Sequence, residues 1–279
     1  MHLIRESHTN GHDTGKLGRD IDLRANGNGT GTASAGPERR GTDLSQGQFR
    51  RHSTATPTVS VVIPALNEGA NLPFVLERIP RWVHEVVVVD GHSSDDTVKV
   101  ARAVRPDVVI VYQTGRGKGN AIVAGAEAAT GDIVVLLDAD GSTDPGDIPR
   151  FVAALRTGAD FAKGTRFLMG AGSADLTPTR RFGSKLFARI VNVLFGASYT
   201  DVLYGYNAFW RRCLPDLHID CTGFEVEPLL AIRAMRSNIR VIEVPSYEPS
   251  RLSGTTNLRA VRDGWRILRM IIAERIRPL

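Results

Sequence analysis

The chain has 279 residues, 42% hydrophobic and 23% charged, a balance that builds an ordinary core and excludes disorder throughout. Its two cysteines, Cys213 and Cys221, exclude a disulfide scaffold and fit a reducing cytoplasm, and neither a bilayer-spanning apolar run nor a signal-peptide core is present. The net charge is +5, with 35 basic residues of which five are lysines and 30 arginines; this favours anionic partners, and arginine's planar fork suits phosphate.

Residues 1 to about 56 are polar and punctuated by glycines such as Gly11, Gly15, Gly27 and Gly31, with no apolar period. Such a stretch cannot repay the entropy of ordering, so a disordered tail is expected there. Its histidines (His2, His8, His12 and His52) are scattered and read as solvated filler, not as a metal site. From Thr58 the texture changes. The apolar runs at Val59–Pro64, Val86–Val89, Val108–Tyr112, Ile133–Asp138 and Asp160–Lys163 read as strands. Between them, Leu72–Ile79, Asp95–Val104, Asn120–Ala129 and Asp147–Leu155 carry helical spacing. Near-continuous apolar strands alternating with helices predict an α/β fold, a Rossmann-like, mostly parallel sheet with helices on both faces and ligands at the carboxyl ends of the strands. Beyond it, Arg180–Phe195 and Phe224–Met235 read as helices, Asp201–Arg211 as an extended segment and Ile239–Val244 as a strand. A globular domain over 57–256 is then followed by an amphipathic helix over 257–279.

Each strand ends in residues suited to a nucleotide. The first runs into Pro64, Ala65, Leu66, Asn67 and Glu68; the second into Asp90, Gly91, His92, Ser93, Ser94 and Asp95, where Ser94 and Asp95 also read as helix caps. The third leads to a loop, Gly115 to Asn120, whose glycines would let backbone amides approach a phosphate while Arg116 and Lys118 add charge. The fourth emerges into Asp138-Ala139-Asp140. Side chains alternate along a strand, so both carboxylates point one way. Like charges that close repel unless a cation joins them, and a divalent ion bound with a diphosphate meets that need; the run from Asp140 to Pro145 reads equally as a solvated strand-end turn.

In this order the segments resemble the family 2 glycosyltransferases of the GT-A fold. Gly164-Thr165-Arg166, Arg181-Phe182-Gly183-Ser184, Asp201 to Asn207 and Arg251 to Asn257 resemble the dolichol-phosphate mannose synthase and polyprenyl-phosphate glycosyltransferase branch. The resemblance implies that Pro64, Ala65, Leu66, Glu68, Asp90, Lys118 and Asp138 hold a GDP- or UDP-hexose donor. It implies that Asp138 and Asp140 bind Mg²⁺ or Mn²⁺, with Ser142 standing where many relatives have Gln. It also implies that Arg166, Arg181 and Arg251 grip the phosphate of a polyprenyl phosphate acceptor, with Arg180 competing for the place of Arg181. The expected reaction is an inverting transfer in which an anionic acceptor attacks the anomeric carbon without a general base. A hydroxyl acceptor would need one, and Asp201, Glu225 and Glu227 are the candidates; the two glutamates also read as helix-start residues.

On the last helix Arg259, Arg262, Arg266 and Arg269 run beside Val261, Trp265, Leu268 and Ile272. This pattern suits peripheral contact with the inner face of a membrane from the cytoplasm, and equally a helix packed on the domain. Cys213, His218 and Cys221 do not have zinc-site spacing. A soluble hydroxyl or phosphorylated acceptor is the second reading of function, and a non-catalytic nucleotide-sugar-binding module the third. Nucleic acid is not an expected partner, because the basic residues are dispersed and only 6% of the chain is aromatic.

Overall fold

The computed structural model describes residues 56–254 and 259–278; the expected tail, but for its last residue, and the boundary expected at residue 256 lie outside them. The described chain begins with β1 (Val59–Ala65), α1 (Leu72–Arg78), β2 (Glu85–Asp90), α2 (Thr97–Val104), β3 (Val109–Tyr112), α3 (Lys118–Ala128) and β4 (Ile133–Leu136). Next come α4 (Ile148–Arg156), β5 (Phe161–Thr165), the two-residue β6 (Gly172–Ser173), α5 (Pro178–Phe195) and β7 (Asn207–Trp210). The chain closes with the single-turn α6 (Leu214–Leu217), α7 (Val226–Arg236), β8 (Val241–Pro245), β9 (Tyr247–Glu248) and α8 (Ala260–Ile276).

The main sheet has seven strands in the order β3-β2-β1-β4-β7-β5-β8. β1 pairs in parallel with β2 on one side and β4 on the other. Its side chains are buried on both faces, which is why its sequence is apolar but for Ser60. Val61 and Ile63 belong to the same apolar cluster as Leu72, Ala101 and Phe151 on one face, and Val62 to the one with Ile122 and Leu230 on the other. Since α1 and α2 cover the first face and α3 the second, the winding reverses beside β1. That reversal leaves a crevice at the carboxyl ends of β1 and β4.

The Asp201–Arg211 segment is a strand only at its end. β7 runs antiparallel between β4 and β5. The preceding residues are held by side chains: Asp201 by Arg166, and Tyr206 through its hydroxyl to the Asp144 carbonyl at 3.0 Å. α5 starts where the Thr177 hydroxyl accepts the Arg180 N–H and Pro178 takes the first turn, and it stops at Gly196 in the left-handed region. α5, α7 and α8 share a third apolar cluster that includes Val191, Ile232, Ile267 and Ile271. Among the described residues no helix is long and apolar enough to cross a membrane.

Candidate active site

The crevice at the strand ends holds a cavity of about 200 Å³ lined by Pro64, Ala65, Leu66, Glu68, Lys118, Asp138, Asp140 and Arg251. A second cavity of about 110 Å³ adjoins it, lined by Lys118, Asp138, Asp140, Arg166, Arg180, Tyr204, Glu227, Arg251 and Ile267. Asp138 and Asp140 border both, so the two carboxylates face common space as strand alternation demands. The turn that carries them is locked. The Asp138 N–H donates to Thr143 Oγ1 at 3.0 Å, and the Ser142 N–H to Asp140 Oδ1 at 2.9 Å. Gly141 has φ +81°, a left-handed conformation that favours glycine, and a Cβ there would lie 2.6 Å from Leu252 Cδ1.

Each acid is matched to a base. Lys118 Nζ lies 2.5 Å from Asp138 Oδ1 and 2.8 Å from Glu227 Oε1. Arg251 bridges Asp140 Oδ2 at 2.5 Å and Glu68 Oε1 at 3.2 Å. Burial raises Asp138, Lys118 pulls it back, and the charges of Asp140 and Glu227 raise it again, to about 6. Burial lowers Lys118, but Asp138 and Glu227 outweigh it and hold the ammonium above its ordinary value. Two carboxylates opening on one cavity, one of them destabilised by burial and by the other, fit a hard divalent cation that shares its shell with diphosphate oxygens. Asp138 and Asp140 would hold it. Among the described residues no group of three or more His, Cys, Asp or Glu side chains is placed to hold a metal without such help.

Two amides of the glycine-rich loop are taken up inside the fold. The Gly119 N–H donates to the Thr222 carbonyl at 3.0 Å, and the Gly115 N–H to Asn120 Oδ1 at 2.8 Å. A Cβ at Gly117 would lie 2.2 Å from Thr222 O, and one at Gly119 2.3 Å from Cys221 O. Gly117 and Gly119 admit a crossing chain, and the loop brings Gly117 and the Lys118 side chain to the cavity. That crossing chain is tied to α8, because Arg266 Nη2 reaches Glu225 Oε1 at 2.8 Å and Thr222 Oγ1 at 3.2 Å. The Tyr204-Gly205-Tyr206-Asn207 motif is explained in the same way. A Cβ at Gly205 would lie 2.6 Å from Asp138 Oδ2, and Asn207 Nδ2 donates to Glu227 Oε2 at 3.1 Å.

Four expected site residues need correction. Asp90 is buried and does not line the cavity; its Oδ2 accepts the His92 and Ser93 amides at 3.1 and 3.2 Å, so it builds the turn. Arg166 borders the second cavity, but Asp201, Glu248 and Ser184 accept from Nε, Nη1 and Nη2 and take up its donors. It is a clamp inside the fold. Asp201 is fully buried against that clamp, outside both cavities, and cannot serve as a base there. Arg181 is exposed and lies over the Phe167 ring, whereas Arg180 lines the second cavity. Sequence reasoning missed Gln113 and Phe224, which line the first cavity; neither belongs to a recognisable motif. His92, with φ +66°, is a turn residue as expected.

The model of the family described as glycosyl transferase family 2 matches residues 60–218. An uncharacterised glycosyltransferase of Mycobacterium tuberculosis is 34% identical over 224 residues, 77% of this chain and 99% of its own. The polyprenol monophosphomannose synthase of Mycolicibacterium smegmatis is 32% identical, across 76% of this chain and 86% of its length. The undecaprenyl-phosphate mannosyltransferase of Micrococcus luteus is 32% identical across 67% and 82%. Among solved structures, glucosyl-3-phosphoglycerate synthase of Mycobacterium tuberculosis, in complex with Mn²⁺, UDP-glucose and phosphoglyceric acid, superposes with a TM-score of 0.65 at 25% identity, covering 80% of this chain and 81% of that one. An acid pair at the topological switch point of such a sheet is where this fold handles a nucleotide, and the chain belongs to glycosyl transferase family 2 as a nucleotide-sugar-dependent glycosyltransferase of the GT-A fold.

Proposed function

We propose that the protein transfers a hexose from a GDP- or UDP-sugar to a polyprenyl phosphate with inversion at the anomeric carbon. The observation that carries this reading is the division of the crevice by Asp138 and Asp140. On one side lies the donor cavity, and on the other a cavity bordered by Arg180 and Arg251 that reaches Ile267 of α8. A lipid monophosphate carries about −1.5 to −2 charges near neutral pH, and two guanidinium groups hold and orient it. Arg180 pairs with Asp175 at 2.6 Å and is one-third exposed, so its head can turn to an arriving phosphate. The phosphate oxygen attacks the anomeric carbon while the bond from that carbon to the nucleoside diphosphate breaks, and no base is needed. Pro64 to Glu68 and Lys118 hold the donor. A Mg²⁺ or Mn²⁺ ion on Asp138 and Asp140 would supply charge neutralisation for the leaving diphosphate.

Exposed Val261, Trp265 and Ile272 on α8, beside the exposed Arg262 and Arg269, support peripheral contact with an anionic, cytoplasmic membrane face. Phe182 and Leu186 of the adjoining α5 are exposed as well. A second reading, a soluble phosphorylated acceptor, is favoured by the phosphoglyceric acid in the structural neighbour. The test is to incubate the purified protein with Mn²⁺ or Mg²⁺, GDP- and UDP-sugars, and either a short-chain polyprenyl phosphate or phosphoglyceric acid. Transfer to the lipid, abolished by Asp140→Ala, is the expected result. Turnover with phosphoglyceric acid alone would select the second reading.

A further inference from the structure

The two carboxylates that face the crevice end two matching chains of contacts. In the first, Lys118 Nζ sits between Asp138 Oδ1 at 2.5 Å and Glu227 Oε1 at 2.8 Å, and Glu227 Oε2 accepts from Asn207 Nδ2 at 3.1 Å. In the second, Arg251 sits between Asp140 Oδ2 at 2.5 Å and Glu68 Oε1 at 3.2 Å, and Glu68 Oε2 accepts from Asn71 Nδ2 at 2.5 Å. Each base is therefore shared by one acid of the pair and one glutamate outside it. A buried asparagine amide fixes each glutamate. These amides are tied to the backbone in turn, Asn71 to the Ser253 carbonyl at 3.2 Å and Asn207 to the Gly205 carbonyl at 3.1 Å. The two bases come from distant places, the first turn of α3 and the segment after β9, so the likeness is no sequence repeat. A divalent cation shared by Asp138 and Asp140 repels an ammonium and a guanidinium that lie against the same carboxylates. A base with no other acid would either leave for solvent or keep the cation out. One with a second, fixed acid stays in the crevice with its charge met.

We propose that Glu227 and Glu68 are positioning residues that receive Lys118 and Arg251 when a divalent cation takes Asp138 and Asp140. Each base then exchanges one partner without leaving the site, where both border both cavities. The N–H groups they withdraw from the acid pair become open to phosphate oxygens. The inference rests on the divalent-cation reading of Asp138 and Asp140 and adds what the two glutamates do beside it.

The experiment measures the binding of Mn²⁺ alone to the full chain, by electron paramagnetic resonance of the free ion, in two double-mutant cycles. One combines Glu227→Gln with Lys118→Met, the other Glu68→Gln with Arg251→Met. Lys118→Met and Arg251→Met remove a competing charge, and each should bind Mn²⁺ roughly tenfold more tightly than the wild type. Glu227→Gln and Glu68→Gln leave the base to the acid pair, and each should bind it roughly tenfold more weakly. The double variants decide the matter. With no base to receive, the change to Gln should cost less than about threefold in the Met background. A glutamate that acts as a cation ligand, or through its charge alone, costs at least as much there, and that result overturns the assignment for its pair. A Gln variant that binds Mn²⁺ as the wild type does overturns it too. Thermal melts without Mn²⁺ show which variants are folded, and the second cycle carries the test if a variant of the first is not. Asp140→Ala tells the two levels apart. If it binds Mn²⁺ like the wild type, or if no protein, the Met variants included, takes up Mn²⁺ at millimolar concentration, the divalent-cation reading falls together with the assignment.

Discussion

Arg166 and Arg180 border the same cavity with different numbers of free donors. Arg166 is held by two carboxylates that are themselves buried, Asp201 and Glu248. Removing it strands both charges, so Arg166→Met should destabilise the protein by about 3–5 kcal/mol in urea unfolding. Arg180 has one partner, Asp175, at the surface. Arg180→Met should leave stability within about 0.5 kcal/mol but raise the acceptor KM at least roughly tenfold, the loss of one charge-assisted contact of about 1.5–3 kcal/mol. The sequence could not separate these two arginines. Their fates depend on which acids fold against them, and Glu248 arrives from a distant strand. The acid pair was legible because its geometry is local: two residues apart on a strand means one shared side, whatever the rest of the chain does. Asp90 was not, because its oxygens turn back on the His92 and Ser93 amides only once the chain after Gly91 has taken its turn.

The strands β1 to β5 and the helices between them lie where apolar periodicity predicts, to within a few residues. β7 begins later than the extended segment predicted, because Asp201 and Tyr206 are fixed by side-chain bonds and not by a ladder. The loop between β3 and α3 shows how one element depends on another remote in sequence. Lys118 is presented to Asp138 by a backbone that rests on the Thr222 carbonyl, and Arg266 of α8 anchors Thr222 and Glu225. Arg266→Met should therefore speed amide hydrogen exchange over residues 115–120 as well as 222–227, by about fivefold for roughly 1 kcal/mol of lost protection. The amides of β1 and β4 should be unchanged. Mass-spectrometric exchange on the free protein checks this, and an effect confined to 222–227 would sever the proposed connection.

α8 is held to the rest of the molecule by burial of Ile267 and Ile271 and by an ionic cluster in which Glu274 meets Arg233 at 2.7 Å and Arg277 at 3.0 Å. Burial raises the Glu274 carboxyl, but the Arg233 hydrogen bond and the charges of Arg233 and Arg277 outweigh it and leave it below its ordinary value of 4.5. A carboxyl lowered by folding stabilises the native state above its unfolded pKa, and that contribution fades as pH falls through the folded one. Thermal melting should accordingly show a stability loss below about pH 4.5 that is smaller in Glu274→Gln than in the wild type. The α/β order of elements, the doubly wound sheet and the paired acids were written in the linear chain, since apolar periodicity and strand alternation act over a few neighbouring residues. Which arginine borders the second cavity, why the loop glycines are needed and how α8 braces the chain that supports Lys118 emerged only from the folded chain. Those properties are distances between segments far apart in sequence, and packing sets them.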